Sequence, residues 1–235
     1  MAAELKAKLL TNSPKIRWSK TVENEFIITR DIVEKFRLES FVDTFNKVFP
    51  DGAKVTDIPK LISHIDGNYY YRLFVQLLLN ELPFNNKILV VDGNTCENLF
   101  YNGDIRIEGN AKVNRIYIKG NLVIDGNLII KDKGEIIARN FDNKKQIIAT
   151  EINLGIDSMI LAHVKAKNIN VYSEATIIGN VDTNTVNLDD SEIWGNVEAN
   201  KIINNAGVID GDVNTVKIEN INDGTVTGKI TYKNQ

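Results

Sequence analysis

The sequence predicts an α+β chain in two parts: a small, mainly helical N-terminal domain over residues 1–83 and a right-handed parallel β-solenoid over residues 84–235. Three observations predict it. A phrase of an aliphatic residue, any residue, glycine and usually asparagine recurs as Val91-Asp92-Gly93-Asn94, Ile107-Glu108-Gly109-Asn110, Ile124-Asp125-Gly126-Asn127, Ile177-Ile178-Gly179-Asn180, Ile193-Trp194-Gly195-Asn196, Ile209-Asp210-Gly211-Asp212 and Val226-Thr227-Gly228-Lys229. Its spacing holds: Val91, Ile107, Ile124, Phe141, Ile160, Ile177, Ile193, Ile209 and Val226 form a file with steps of 16–17 residues, except for one of 19 before Ile160. Two further files keep step with it. One runs Thr95, Ala111, Leu128, Ile147, Val164, Val181, Val197, Val213 and Ile230; the other runs Ile136, Ile152, Ile169, Val186, Ile202 and Ile218.

These files are almost wholly β-branched or small, which suits a pleated, half-buried surface better than a helix. A turn of this length cannot bury an apolar face alone, but stacked turns line their files into one core. Pairs such as Ile105 and Ile107, Ile116 and Ile118, or Leu122 and Ile124 put one strand face inward. Glycine falls where the chain turns a corner, and a neighbouring Asn or Asp tolerates a left-handed backbone there. A sandwich of short strands has no reason to hold register over so many units.

The spacing also discriminates between solenoid types. A left-handed hexapeptide helix needs an aliphatic residue every sixth position; Ile118 and Ile124 keep that, but Ile177, Val181 and Val186 follow steps of four and then five. On the segments Ile177-Ile178-Gly179-Asn180, Ile193-Trp194-Gly195-Asn196 and Ile209-Asp210-Gly211-Asp212, with their β-branched partners, the chain resembles the bactofilins, the bacterial polymer-forming β-helix proteins. The resemblance covers roughly residues 88–232 and implies a structural, cytoskeletal scaffold. A bactofilin has short flexible ends, whereas the N-terminal third here reads as folded.

That N-terminal part is taken in order. Residues 3–10 read as a short helix or arm, broken by Ser13-Pro14, and residues 16–19 and 25–29 as short extended pieces. Thr29 or Asp31 then caps a helix to about Phe49, with Ile32, Phe36, Phe41, Phe45 and Val48 at helical spacing. Pro50-Asp51-Gly52 turns the chain, and Pro59 sits in the first turn of the next helix, which carries Leu61, Ile62 and His64 and is closed by Asp66-Gly67. Residues 68–82 are the most apolar stretch, a core helix stopped by Pro83 and too short to span a bilayer. The helices are expected to cover the first solenoid turn, whereas the last turn, with Val226, Ile230 and Tyr232, has no evident cap for its sheet edge. Residues 140–146 interrupt the repeat as a loop leaving a corner.

A net charge of -3, with Lys and Arg scattered among acids, argues against a nucleic-acid partner. The single cysteine, Cys96, excludes an internal disulfide and fits a reducing compartment. With no signal-peptide-like run and no apolar stretch of membrane-spanning length, the chain is expected to be cytoplasmic, export without a cleaved signal being compatible with that.

Catalytic motifs are missing: there is no phosphate-cradling loop, no paired His at metal spacing and no nucleophile elbow. No catalytic, metal or cofactor residue is therefore assigned. His163 stands where Asn180 and Asn196 stand in later units, and hexapeptide-repeat acyltransferases use a histidine base, which makes it the one enzymatic candidate. The acidic residues at corners, such as Asp125, Asp182 and Asp210, lack the regular spacing of calcium-binding repeats and read as a solvated face. Trp194 points outward, and with Tyr172 or Ile178 on adjacent turns it forms a candidate interaction patch. The expectation is a non-enzymatic scaffold that self-associates tail to tail as a dimer through Val226, Ile230 and Tyr232. The alternative is a recognition module whose helices bind another protein through Tyr69, Tyr70 and Tyr71, the solenoid serving as a spacer, as in a bacterial effector or adaptor.

Overall fold

The computed structural model describes residues 16–18, 26–65, 71–140 and 143–234. From Asn85 to Tyr232 the chain winds as a parallel β-solenoid of about eight turns. In the regular turns a nine-residue strand alternates with a three-residue one, as in Val181–Asp189 and Glu192–Trp194. Each pairs in parallel with its equivalents one turn before and one turn after: Val186 with Ile169 and Ile202, Ile193 with Ile177 and Ile209. Inward residues alternate with outward ones, and the interior is filled by fully buried aliphatics such as Ile152, Ile169, Val186 and Ile202. Each such side chain contributes about 1.5–3 kcal/mol by leaving water.

The predicted files need correction in the first three turns. Ile160, Ile177, Ile193, Ile209 and Val226 do stack, but the file continues backward through Ile136, Ile116 and Leu99. Val91, Ile107 and Ile124 stack on one another at a different part of the turn. Likewise Ala111 and Leu128 belong with Ile152, whereas Ile147 stacks on Leu122. The cause is the interruption. Leu122 and Ile147 are 25 residues apart (147 − 122), with an antiparallel hairpin, Arg139 paired to Lys144, leaving the coil between them. Phe141 lies outside the described residues.

The glycine phrase consequently marks two corners. In the later turns a Cβ added to Gly211 would run into the Gly195 carbonyl oxygen, so the turns close up only where a side chain is missing. The asparagines beside these glycines are not there for a left-handed backbone; non-glycine residues of positive φ gather at another corner, at Asp157, Glu174, Asp190 and Ala206. Asn110, Asn180, Asn196 and Asp212 act as acceptors instead, each side chain taking a backbone N–H of the next turn.

Among the described residues the N-terminal part holds four α-helices: α1 (Arg30–Glu34), α2 (Glu39–Val48), α3 (Ile58–Ile65) and α4 (Tyr71–Glu81). The single helix expected to Phe49 is broken in two, with Arg37 at φ 55° between the halves. Thr29 takes the N-cap position with extended backbone, without a side-chain cap bond. Phe41 stacks on Phe74 with ring centroids 5.0 Å apart, tying α2 to α4. The strand Ile16–Trp18 pairs antiparallel with Leu89–Val91 on the first turn, and α3 packs on the strand Asn85–Tyr101. No described helix is long and apolar enough to cross a membrane.

Candidate functional site

Three outward surfaces carry the residues singled out in the sequence. The first is the last turn. Thr225 and Val226 pair with Val208 and Ile209, and residues Ile230–Tyr232 with Val213–Thr215; among the described residues no strand pairs on their other side. Burial falls along each file: Ile209 and Val213 are buried, Val226 and Ile230 only half-buried, and Ile221 and Tyr232 are 44% and 61% exposed. The interior also turns polar here. Where earlier turns place Leu154, Val171 and Leu188, these place Asn204 and Asn220; the Asn204 amide, fully buried, donates to Asn220 Oδ1 (3.1 Å) and to the Thr225 carbonyl (3.2 Å).

The second surface is the corner ladder with His163. Its Nδ1 accepts from the Asn180 backbone N–H at 3.0 Å. Asn180 Oδ1 then accepts from Asn196 N–H (3.1 Å), Asn196 Oδ1 from Asp212 N–H (3.0 Å) and Asp212 Oδ1 from Lys229 N–H (2.9 Å). Upstream, Asp104 takes Asn121 N–H (2.7 Å) and Asn121 takes Gln146 N–H (3.0 Å). Beside the ladder runs a groove of about 770 Å³, lined by Lys145, His163, Asn180, Asp182, Asn196 and Glu198 among others. With Nδ1 taken, a base role for His163 falls to Nε2.

The third surface joins α4 to the solenoid, around a carboxylate that sequence reasoning missed. Glu135 is fully buried. Tyr71 Oη donates to its Oε1 at 2.6 Å, Tyr117 Oη donates to the same oxygen, and Arg72 Nε lies 2.6 Å from Oε2. Arg115 sits 3.9 Å away, its guanidinium 5.5 Å from the Tyr71 ring centroid. Burial, and next the Glu135 carboxylate, raise both phenols above their ordinary pKa. Lys119 donates to the Asn80 carbonyl (3.1 Å) and to that of Leu82 at the end of α4, and burial lowers its pKa. The signal was an acidic residue beside Ile136 and Ile137, opposite Arg115 one turn earlier, in a stretch read only for its aliphatic file.

Tyr71 is thus half-buried in this joint rather than presented to a partner, and Tyr69 and Tyr70 lie outside the described residues. Of the apolar residues on α4, Phe74, Val75, Leu78 and Leu79 are buried and Leu73 is 46% exposed. Trp194 is 50% exposed, its Nε1 donating to Glu192 Oε2 at 2.8 Å, and it stands in register with Ile178. Tyr172 sits instead with Ile129 and Ile156 around a different groove. The side chain of Cys96 lies outside the described set. Among the described residues, no three His, Cys, Asp or Glu side chains gather as a metal site.

Fold and surfaces together define a parallel β-solenoid protein with a helical segment joined to its first turns. No family model, curated protein or solved structure matches the chain.

Proposed function

We propose that this is a non-enzymatic structural protein, a right-handed, bactofilin-like β-helix that self-associates through its last turn. The observation that carries the reading is the contrast between the two ends. The first turn is covered by an antiparallel strand and helices, while the last leaves its strand edge and the half-buried Val226 and Ile230 open. An unpaired edge over an apolar file is a template for another strand. With one end open among the described residues, the product is a closed two-fold dimer, the same surface meeting itself with strands antiparallel, and not a filament. Sedimentation over a roughly hundredfold concentration range tests this. A dimer that Ile230→Asp converts to monomer is expected; a monomer at every concentration, with unchanged mass in the variant, rejects it.

The groove beside His163 favours a second reading, acyl transfer with Nε2 as base. Asparagine holds the same ladder slot at Asn180 and Asn196, so His163→Asn removes the base and keeps the corner intact. In that step Nε2 takes the proton of an acceptor hydroxyl or amine as the acyl group moves to it, and the thiolate that leaves takes up that proton. Thiol release from acetyl-coenzyme A by the native chain in the presence of sugar-hydroxyl and amine acceptors, lost in His163→Asn, supports this reading; none from either with those acceptors counts against it.

A further inference from the structure

One outward apolar file runs along much of the solenoid, from the long strands of the first turns onto the short strands of the later ones. Phe100, Tyr117, Ile137, Leu161, Ile178 and Trp194 stand in register on successive turns. An outward file on a solenoid is ordinarily polar, as its next member, Asp210, is. At the start the apolar character has a plain cause, since α4 lies across it: Tyr71 and Arg72 reach Glu135 beside Ile137, and Lys119, two residues past Tyr117, holds the carbonyls at the other end of the helix. Phe100, Tyr117 and Ile137 are fully buried. The file then emerges. Leu161 is 8% exposed, Ile178 half-buried and Trp194 50% exposed.

The neighbouring file repeats the polar half of that joint. Glu135 stands in register with Met159, then Thr176, then Glu192. Glu192 and Trp194 therefore hold the places that Glu135 and Ile137 hold under α4. Around Glu192, the side chains of Glu174, Asp190 and Ser191 surround a further hollow of about 280 Å³, and Asp210 flanks Trp194. Among the described residues none of these four carboxylates is in an ion pair with Lys, Arg or His. Glu135, by contrast, has Arg72.

We infer that Ile178, Trp194 and Glu192 form a docking site for an amphipathic helix of a protein partner, one with an apolar face edged by Arg or Lys. The occupant is fixed by continuity with the α4 interface and by charge. A helix is about 10 Å across, which is about two steps of ~4.8 Å between paired strands. One helix laid along the strands thus spans Ile178 to Asp210, burying Trp194 and setting a cation against Glu192 as Arg72 is set against Glu135. The site is independent of the open last turn and of the His163 groove.

The test uses a lysine-flanked peptide carrying the α4 sequence, residues 71–82, added to the full chain in a Trp18→Phe background, which leaves Trp194 as the single tryptophan. Saturable binding with a blue shift of Trp194 emission is expected. An Arg72→Glu peptide is expected to bind at least about tenfold more weakly, and Glu192→Lys in the protein to restore it by charge reversal. Titration calorimetry on Trp194→Ala, its fold checked by circular dichroism, is expected to show the same loss. Equal binding by Trp194→Ala, by a scrambled peptide of the same charge, or by both charge versions overturns the proposal. So does a Trp194 shift that appears on concentrating the protein alone, which would assign the surface to a second copy.

Discussion

At the scale of single residues, the corner ladder shows how side chains finish what the backbone leaves open. Each Asn or Asp Oδ1 satisfies an N–H of the next turn, and Asn196→Ala is expected to cost about 0.5–1.5 kcal/mol, read from the urea midpoint. The tyrosines at Glu135 give a pH signature. Their pKa values in the fold are raised, first by burial, so the unfolded chain ionises from about pH 10 while the folded one does not. Stability is therefore fully present below that pH and declines as the pH rises through it. Lys119, shifted down by burial, acts in the opposite sense: stability gained as pH rises toward the unfolded lysine value. The phenols are expected to dominate above about pH 10, and urea midpoints for Tyr117→Phe across that range are expected to fall less steeply than for the native chain. An unchanged slope would locate the titration elsewhere.

At the scale of elements, the same file meets two environments. Ile193 is fully buried between Ile177 and Ile209, so Ile193→Ala is expected to cost about 2–5 kcal/mol; Val226→Ala, on the half-buried last turn, is expected to cost clearly less in dilute protein. The α4 joint is the other element-level hold. Glu135→Ala takes the acceptor from the buried Tyr117 hydroxyl and the carboxylate from Arg72, with an expected loss of about 1–3 kcal/mol in the urea unfolding free energy. What was legible in the sequence follows from these contacts. Turns of constant length leave a period that any reader can count, so the solenoid, and the stacking of Ile177 on Ile193 and Ile209, could be read directly. The period is shared by every file, however, and cannot say which file a residue joins. Once the hairpin around Arg139 and Lys144 shifted the count, Ile124 and Ile160 looked like members of one file though they lie on different parts of the turn. The Glu135 joint was illegible for another reason: Tyr71 and Glu135 are 64 residues apart, and no local pattern links a helix to the outward face it covers. The break at Arg37 did leave a trace: Phe36 and Phe41 are five residues apart, where one continuous helical face steps by three or four.

At the scale of the whole molecule, a stack in which each turn touches only its neighbours has stability that varies along its length. Amide hydrogen exchange is expected to be slowest across the strands from Gln146–Leu154 to Val197–Asn205 and fastest in Thr225–Val226 and Ile230–Tyr232, which pair on one side only among the described residues. A dimer through the last turn would slow those same amides as concentration rises, which ties this gradient to the sedimentation experiment. The position of the covered end has a consequence for how the chain is made. Synthesis proceeds from the amino terminus, so the helices and the strand Asn85–Tyr101 leave the ribosome before any later turn. Each later coil then emerges beside the one it pairs with and needs only to settle upon it, a vectorial assembly in which the reach from α4 to Glu135 is the long-range exception.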